Sequence, residues 1–210
     1  MTWSYRQFTL DGTGKWQKQH YRPHMMVMFE VTQYAGLEAT PEQEKRAADL
    51  VTRSLEVAKK RGWFEFEKGI QDGYKLMPTD PLHYVNMEYV LDDHVVDPER
   101  PEILMYYGTT KGFRLAGIMF LMNELNENGP QIGGPLTVWH YHMSDRPYCF
   151  VNKLVIVSFT DLDGNCAEGE PLYVGPQMMH VWFVDHQSGP FGTEMALSRE
   201  AWEKLEQQDF

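Results

Sequence analysis

Apolar positions along this chain change their period about a third of the way in. Between residues 40 and 62 they recur at helical spacing: Ala47, Leu50, Val51, Ser54, Leu55 and Ala58 fall on one stripe. Thr40 suits an N-cap, Pro41 the first helical position, and Gln43 completes a capping box. Lys59, Lys60 and Arg61 complement the negative end of a helix dipole, and Gly62 supplies the stop. From residue 83 to 186 the period shortens to two and aromatic and β-branched residues accumulate. This predicts strands over 83–90, 102–107, 113–122, 136–143, 148–160 and 178–184. Gly108 to Gly112 reads as a hairpin loop, Asp161 to Gly164 as a turn, and 126–134 as a loop rich in Asn, Gly and Pro.

Outside these two regions the pattern is thinner. Residues 1–24 are polar and aromatic around an Asp11-Gly12-Thr13-Gly14 turn signal, and read as an arm packed on the body. A strand is expected over 25–32 and a short C-terminal helix over 198–207, with Ser198 as its cap. The expected class is α+β: a mainly antiparallel β-barrel or sandwich with an N-terminal helix and a short C-terminal helix. The 210 residues suit a single domain.

Composition narrows the function classes. Thirty acidic against 19 basic residues give a formal charge of -11, and the only basic cluster is the one ending the helix. Nucleic acid and anionic membranes are therefore poor partners. No apolar run approaches the ~20 residues of a membrane span. A soluble protein is expected, cytoplasmic if the chain is full-length and exported if it is a processed mature form. Cys149 and Cys166 allow one disulfide, two free thiols or a metal-ligating thiolate. A simple hairpin about Asp161 to Gly164 would set Cys149 opposite residue 176, so a disulfide requires a bulge or an irregular loop.

Chemistry concentrates in the histidines. His140 and His142 are two apart in a strand-like run, so the pleat directs both imidazoles to one face. His180 lies in a second apolar run, and His83 opens another. Imidazole is the commonest ligand for divalent transition metals. One ion of Fe, Zn or Cu between these strands is the expected cofactor, with His140, His142, His180 and His83 as candidate ligands. His20 and His24 flank Pro23, which opposes a helix through them, and His186 follows residues that end a strand. The Asp161 to Asn165 run lacks the glycine position and closing glutamate of a calcium loop. Of the thirteen methionines, Met25, Met26, Met143, Met178 and Met179 are candidates for soft copper(I), while most read as core filler.

Gly134, five intervening residues and His140-Tyr141-His142 resemble the first motif of the cupin superfamily, without its later glutamate. Pro176 and His180 resemble the second motif, one residue short in spacing. That resemblance implies a β-barrel holding one metal ion. With three histidines and no glutamate, and with Ser144 and Cys149-Phe150 following, the chain is similar to the thiol dioxygenases within that superfamily. There Cys149 would be an accessory thiol beside the metal, and Arg146 or Arg114 a carboxylate-binding arginine. The blocks His83-Tyr84-Val85-Asn86, Pro101 to Tyr106, His180-Val181-Trp182 and Gly189-Pro190-Phe191 also resemble a group of uncharacterised bacterial, often exported, proteins. That likeness brings no activity and draws attention to His83 as a fourth ligand.

Three functions follow as expectations. One is a metal-dependent oxygenase or lyase with open coordination positions for a small-molecule substrate. A second is a non-catalytic metal-binding or assembly protein closed by four protein ligands, with His83 or Cys149 as the fourth. The third is a metal-free β domain whose aromatic residues, such as Trp139, Tyr141, Trp182 and Phe183, line a ligand pocket or core. Assembly as a homo-oligomer is left open.

Overall fold

A computed structural model describes residues 26–31 and 37–208, together with the backbones of two short N-terminal strands. Those strands, β1 (Phe8–Leu10) and β2 (Trp16–Lys18), pair antiparallel on either side of the Asp11 to Gly14 turn signal. The remainder of the expected arm, including His20 and His24, lies outside the described residues. Then follow β3 (Met26–Glu30), α1 (Pro41–Arg61), α2 (Phe66–Gln71), β4 (Lys75–Leu76), β5 (His83–Val85) and α3 (Met87–Val90). β6 (Ile103–Thr109), β7 (Gly112–Leu121), a 3-10 turn (Gly134–Leu136), β8 (His140–Val151), β9 (Val155–Phe159), β10 (Glu170–Val174), β11 (Met178–Trp182) and α4 (Arg199–Glu206) complete the order.

Helix α1 forms for the reasons its ends announce. The Thr40 side chain accepts the Gln43 amide, Gln43 returns to the Thr40 amide, and Gly62 closes the helix in the left-handed region at φ 73°. Its buried stripe is Ala47, Leu50, Ser54, Val57 and Ala58, with Val51 and Leu55 half-buried at its edge. Ser198 caps α4 by accepting the Ala201 amide, and Ala201 and Leu205 anchor that helix.

Nine strands form one sheet in the order β10-β8-β11-β7-β6-β5-β4, with β3 and β9 both on β8, and every described pairing is antiparallel. The sheet curls into a half-barrel. Among the described residues no pairing closes it: β4 bonds to β5, and β3 and β9 bond to β8. β6 and β7 read as continuous apolar runs because both of their faces are covered. Leu104, Ile118, Phe120 and Val181 pack under α1 on the convex face. Ile103, Met105, Met119, Leu121 and Trp182 point the other way, into the concave face, where α4 contributes Leu205.

Several strand expectations need correction. The segment 83–90 is a strand only to Val85, because the Asn86 side chain accepts the Glu88 amide and starts α3. The segments 136–143 and 148–160 are not two strands parted near Pro147. β8 runs unbroken through Pro147, and the reversal comes at Asn152 and Lys153, both with positive φ (53° and 64°). The turn is closed by the Leu154 amide, which donates to the Val151 carbonyl. Pro147 is tolerated because it falls between the stretch of β8 paired with β3 and the stretch paired with β9, beside an irregularity in the β10 pairing. The strand β10 and the helix α2 were not anticipated, being short and broken by Pro171 and Gly69.

Candidate functional site

Register places the histidines. His83 faces Met105 across β5 and β6, and Met105 faces Gly117 on β7. One step along, Ile103 faces Met119, and Met119 faces His180 on β11. Met178, two residues before His180, faces His140 on β8. His142 follows at the same parity. All four candidate ligands therefore stand on the concave face.

Curling brings them together. Two strands separate β5 from β11, so a flat sheet would hold His83 and His180 roughly 14 Å apart. Their ring centres are 6.3 Å apart. His140 lies 4.7 Å from His180 and 5.6 Å from His142, centre to centre. Gly117 permits close packing beside this cluster: a Cβ there would meet the Val181 carbonyl oxygen at 2.4 Å and the Met105 terminal methyl at 2.8 Å. An ion about 2.1 Å from each nitrogen sets two ligand ring centres roughly 4.5–6 Å apart. The two spacings from His140 lie in that range and the His83–His180 spacing just above it. Among the described residues, no group of three or more His, Cys, Asp or Glu side chains converges as a preassembled metal-binding group.

Hydrogen bonding divides the four rings. The His83 Nδ1 lies 3.0 Å from the Asp80 carboxylate, leaving a buried Nε2 with no partner. The His180 Nδ1 is 3.0 Å from the Gly192 carbonyl oxygen, to which it must donate, so the lone pair is on Nε2. Both rings are thus oriented by an acceptor, as metal-ligating histidines usually are. His140 has zero exposure, and among the described residues neither of its nitrogens has a hydrogen-bond partner.

These environments favour neutral imidazole. Burial, then the neighbouring His180, His142 and His83, holds His140 well below the ordinary imidazole range. Burial above all pushes His142 down to about 4 and His180 down to about 3, with His83 adding to both. At neutral pH these rings carry lone pairs rather than charge. Burial alone would raise the Asp80 carboxyl. The opposed His83 ring, their hydrogen bond and the Leu82 amide outweigh it and hold Asp80 at about 2.

The cluster borders a cavity of about 1190 Å³. His83, His142 and Asp80 line it, with Met26, Met28, Ile103, Met119, Leu121 and Met178 as apolar wall. Ser144, Arg146, Ser158 and Asn165 also line it. Arg146 is thus on the cavity, whereas Arg114 is on β7 opposite Tyr107.

The cysteine expectations resolve against a free thiol. Cys149 and Cys166 form a disulfide, with Cα atoms 5.6 Å apart. The roles of Cys149 as accessory thiol and as fourth ligand are therefore both withdrawn. The simple hairpin was the wrong premise: β9 and β10 lie on opposite edges of β8, so the loop between them crosses over it. The β8–β9 register shifts between Cys149 and Phe150, the bulge a disulfide requires. The Asp161 run is a turn, with the Asp161 carboxylate accepting the Asp163 and Asn165 amides. His186 stacks on Trp182 and contacts the Glu194 carbonyl, a structural placement.

Asp80 and the Gly192 carbonyl were missed. Asp80 had a local signal, a carboxylate three residues before His83 across Pro81. The Gly192 carbonyl had none.

Comparison with protein-family models, with curated proteins and with solved structures returned no match. The chain therefore rests on its own geometry. No helix among the described residues is long and apolar enough to cross a membrane.

Proposed function

We propose that this protein holds one transition metal ion in the half-barrel and uses it to act on a small, largely apolar molecule bound in the adjoining cavity. One observation carries the reading: His140 is fully buried between His180 and His142, and among the described residues both of its ring nitrogens lack a partner. An unsatisfied buried polar group costs about 1–3 kcal/mol. A metal ion takes up the lone pair and compensates that cost. The ligand set is His140, His142 and His180, with His83 as a fourth, oriented by Asp80. The cupin-like spacing of Gly134, His140 and His142 is consistent with this reading.

The open cavity beside His142 and His83 favours a reactive site over a closed structural one, because a substrate can approach from that side. Bound iron or copper would supply oxygen chemistry, and zinc would polarise water or a carbonyl. This chain's own contribution is to exclude water with methionine and leucine walls, keep His140, His142 and His180 neutral and fix two ring orientations. Non-haem oxygenase or lyase chemistry fits that arrangement.

Elemental analysis of protein purified without chelator tests the site. One equivalent of metal is expected, falling below a tenth of an equivalent in the His140→Ala/His142→Ala variant while the far-ultraviolet circular dichroism is kept. Wild-type protein that takes up no Fe, Zn or Cu when each is offered singly would sink the proposal.

A further inference from the structure

Across the concave face, each of the four histidines has a methionine directly opposite it in strand register. His83 faces Met105, His180 faces Met119, His140 faces Met178 and His142 faces Met28. On its other side His140 faces Glu30, whose carboxylate accepts the Thr193 hydroxyl. Methionine is 13 of the 210 residues, so composition alone does not give four of four. Opposed residues in an antiparallel pair have Cβ atoms about 4.5–5.5 Å apart, within reach of a flexible thioether arm. Met105 and Met119 are buried, and Met28, Met119 and Met178 also line the cavity. The site thus pairs an imidazole cluster with a surrounding set of soft sulfur donors, and the described residues include no free cysteine that could supply sulfur instead.

We infer that the ion of this site is copper, held in its reduced state with help from one or more of Met28, Met105, Met119 and Met178. This rests on the histidine site proposed above and specifies its metal. Thioether and imidazole together select copper(I), whereas zinc and iron(II) gain little from a neutral thioether. The apolar wall disfavours extra charge, which also suits a monovalent ion over a divalent one. Glu30 is exposed and already engaged by Thr193, so it does not alter that balance.

The test uses full-length protein with its disulfide intact and ascorbate rather than a thiol as reductant. Copper(I) is supplied anaerobically as its acetonitrile complex in competition with bicinchoninate, and zinc(II) in parallel against a chromophoric chelator. The wild type is expected to bind one equivalent of copper(I). Replacing methionine by leucine conserves volume and usually costs less than about 1.5 kcal/mol, so the variants should fold. At least one of Met28→Leu, Met105→Leu, Met119→Leu and Met178→Leu should weaken copper(I) binding tenfold or more and change zinc(II) binding less than twofold. X-ray absorption at the copper edge of the wild type should show sulfur beside nitrogen, which decides the matter even if a variant misfolds. A nitrogen-only shell, or copper(I) affinity unchanged in all four folded variants, overturns the copper inference and leaves the histidine site standing. Failure of the wild type to bind copper(I), zinc(II) or iron(II) overturns both.

Discussion

Replacing His140 by leucine should make the metal-free protein more stable, the reverse of an ordinary core substitution. The ring is fully buried and both nitrogens are unpartnered. Each such group costs about 1–3 kcal/mol relative to a satisfied one, and the shape mismatch of leucine returns roughly 1 kcal/mol of that relief. A net gain of about 1–5 kcal/mol is expected in the presence of chelator. Metal should narrow or reverse that difference. At a free concentration 100 times its dissociation constant, an ion bound only by the folded state adds about 2.7 kcal/mol to the wild type. His140→Leu should gain little or nothing from it. Urea unfolding followed by tryptophan fluorescence, with chelator and then with zinc(II) or copper, reads both differences as midpoint shifts at constant slope. If His140→Leu is less stable than the wild type in chelator, the ring is satisfied in the folded protein and the argument for a ligand at this position fails.

Other positions give independent tests. Removing the Cys149–Cys166 disulfide, whose cysteines are 17 residues apart, with Cys149→Ala/Cys166→Ala should cost about 3 kcal/mol from the lost loop constraint. Urea midpoints unchanged under oxidising conditions would refute it. Burial, reinforced by Asp92 and Asp97 against the opposing Leu121 amide, raises the Glu102 carboxyl to about 8. Between pH 4.5 and 8 the folded state keeps a proton there that the unfolded state has released, so stability falls as pH rises through that window. Glu102→Gln should remove that slope and stabilise the protein at pH 8 by on the order of a few kcal/mol, and parallel slopes in the two proteins would count against it. Asp80→Asn should lower metal affinity by about 10–100-fold by releasing the His83 ring, which competition titration measures. Leu50→Ala should cost about 2–5 kcal/mol and Leu55→Ala less, since Leu50 is buried and Leu55 half-buried, as chemical denaturation would show.

The sequence by itself determined whatever depends on neighbours a few residues away. Thr40, Pro41, Gln43 and Gly62 specify α1 because capping is a contact between residues three or four apart. Strand parity set His140 and His142 on one face for the same local reason, and the Gly108 to Gly112 hairpin was legible in its turn residues. Tertiary structure decided everything that depends on which strands become neighbours. That β9 and β10 take opposite edges of β8, and so carry Cys166 to Cys149, follows from long-range pairing that no spacing encodes. The approach of His83 to His180 across two intervening strands comes from the curl of the sheet. A flat sheet with the same hydrogen bonds would have kept these rings apart. Asn152 and Lys153 hid the true hairpin because neither Asn-Lys nor its flanks carry the usual glycine, and pairing of β8 with β9 forces the positive φ there. The partner of each histidine, a methionine in every case, is likewise a matter of register, which is fixed only when the whole sheet has formed.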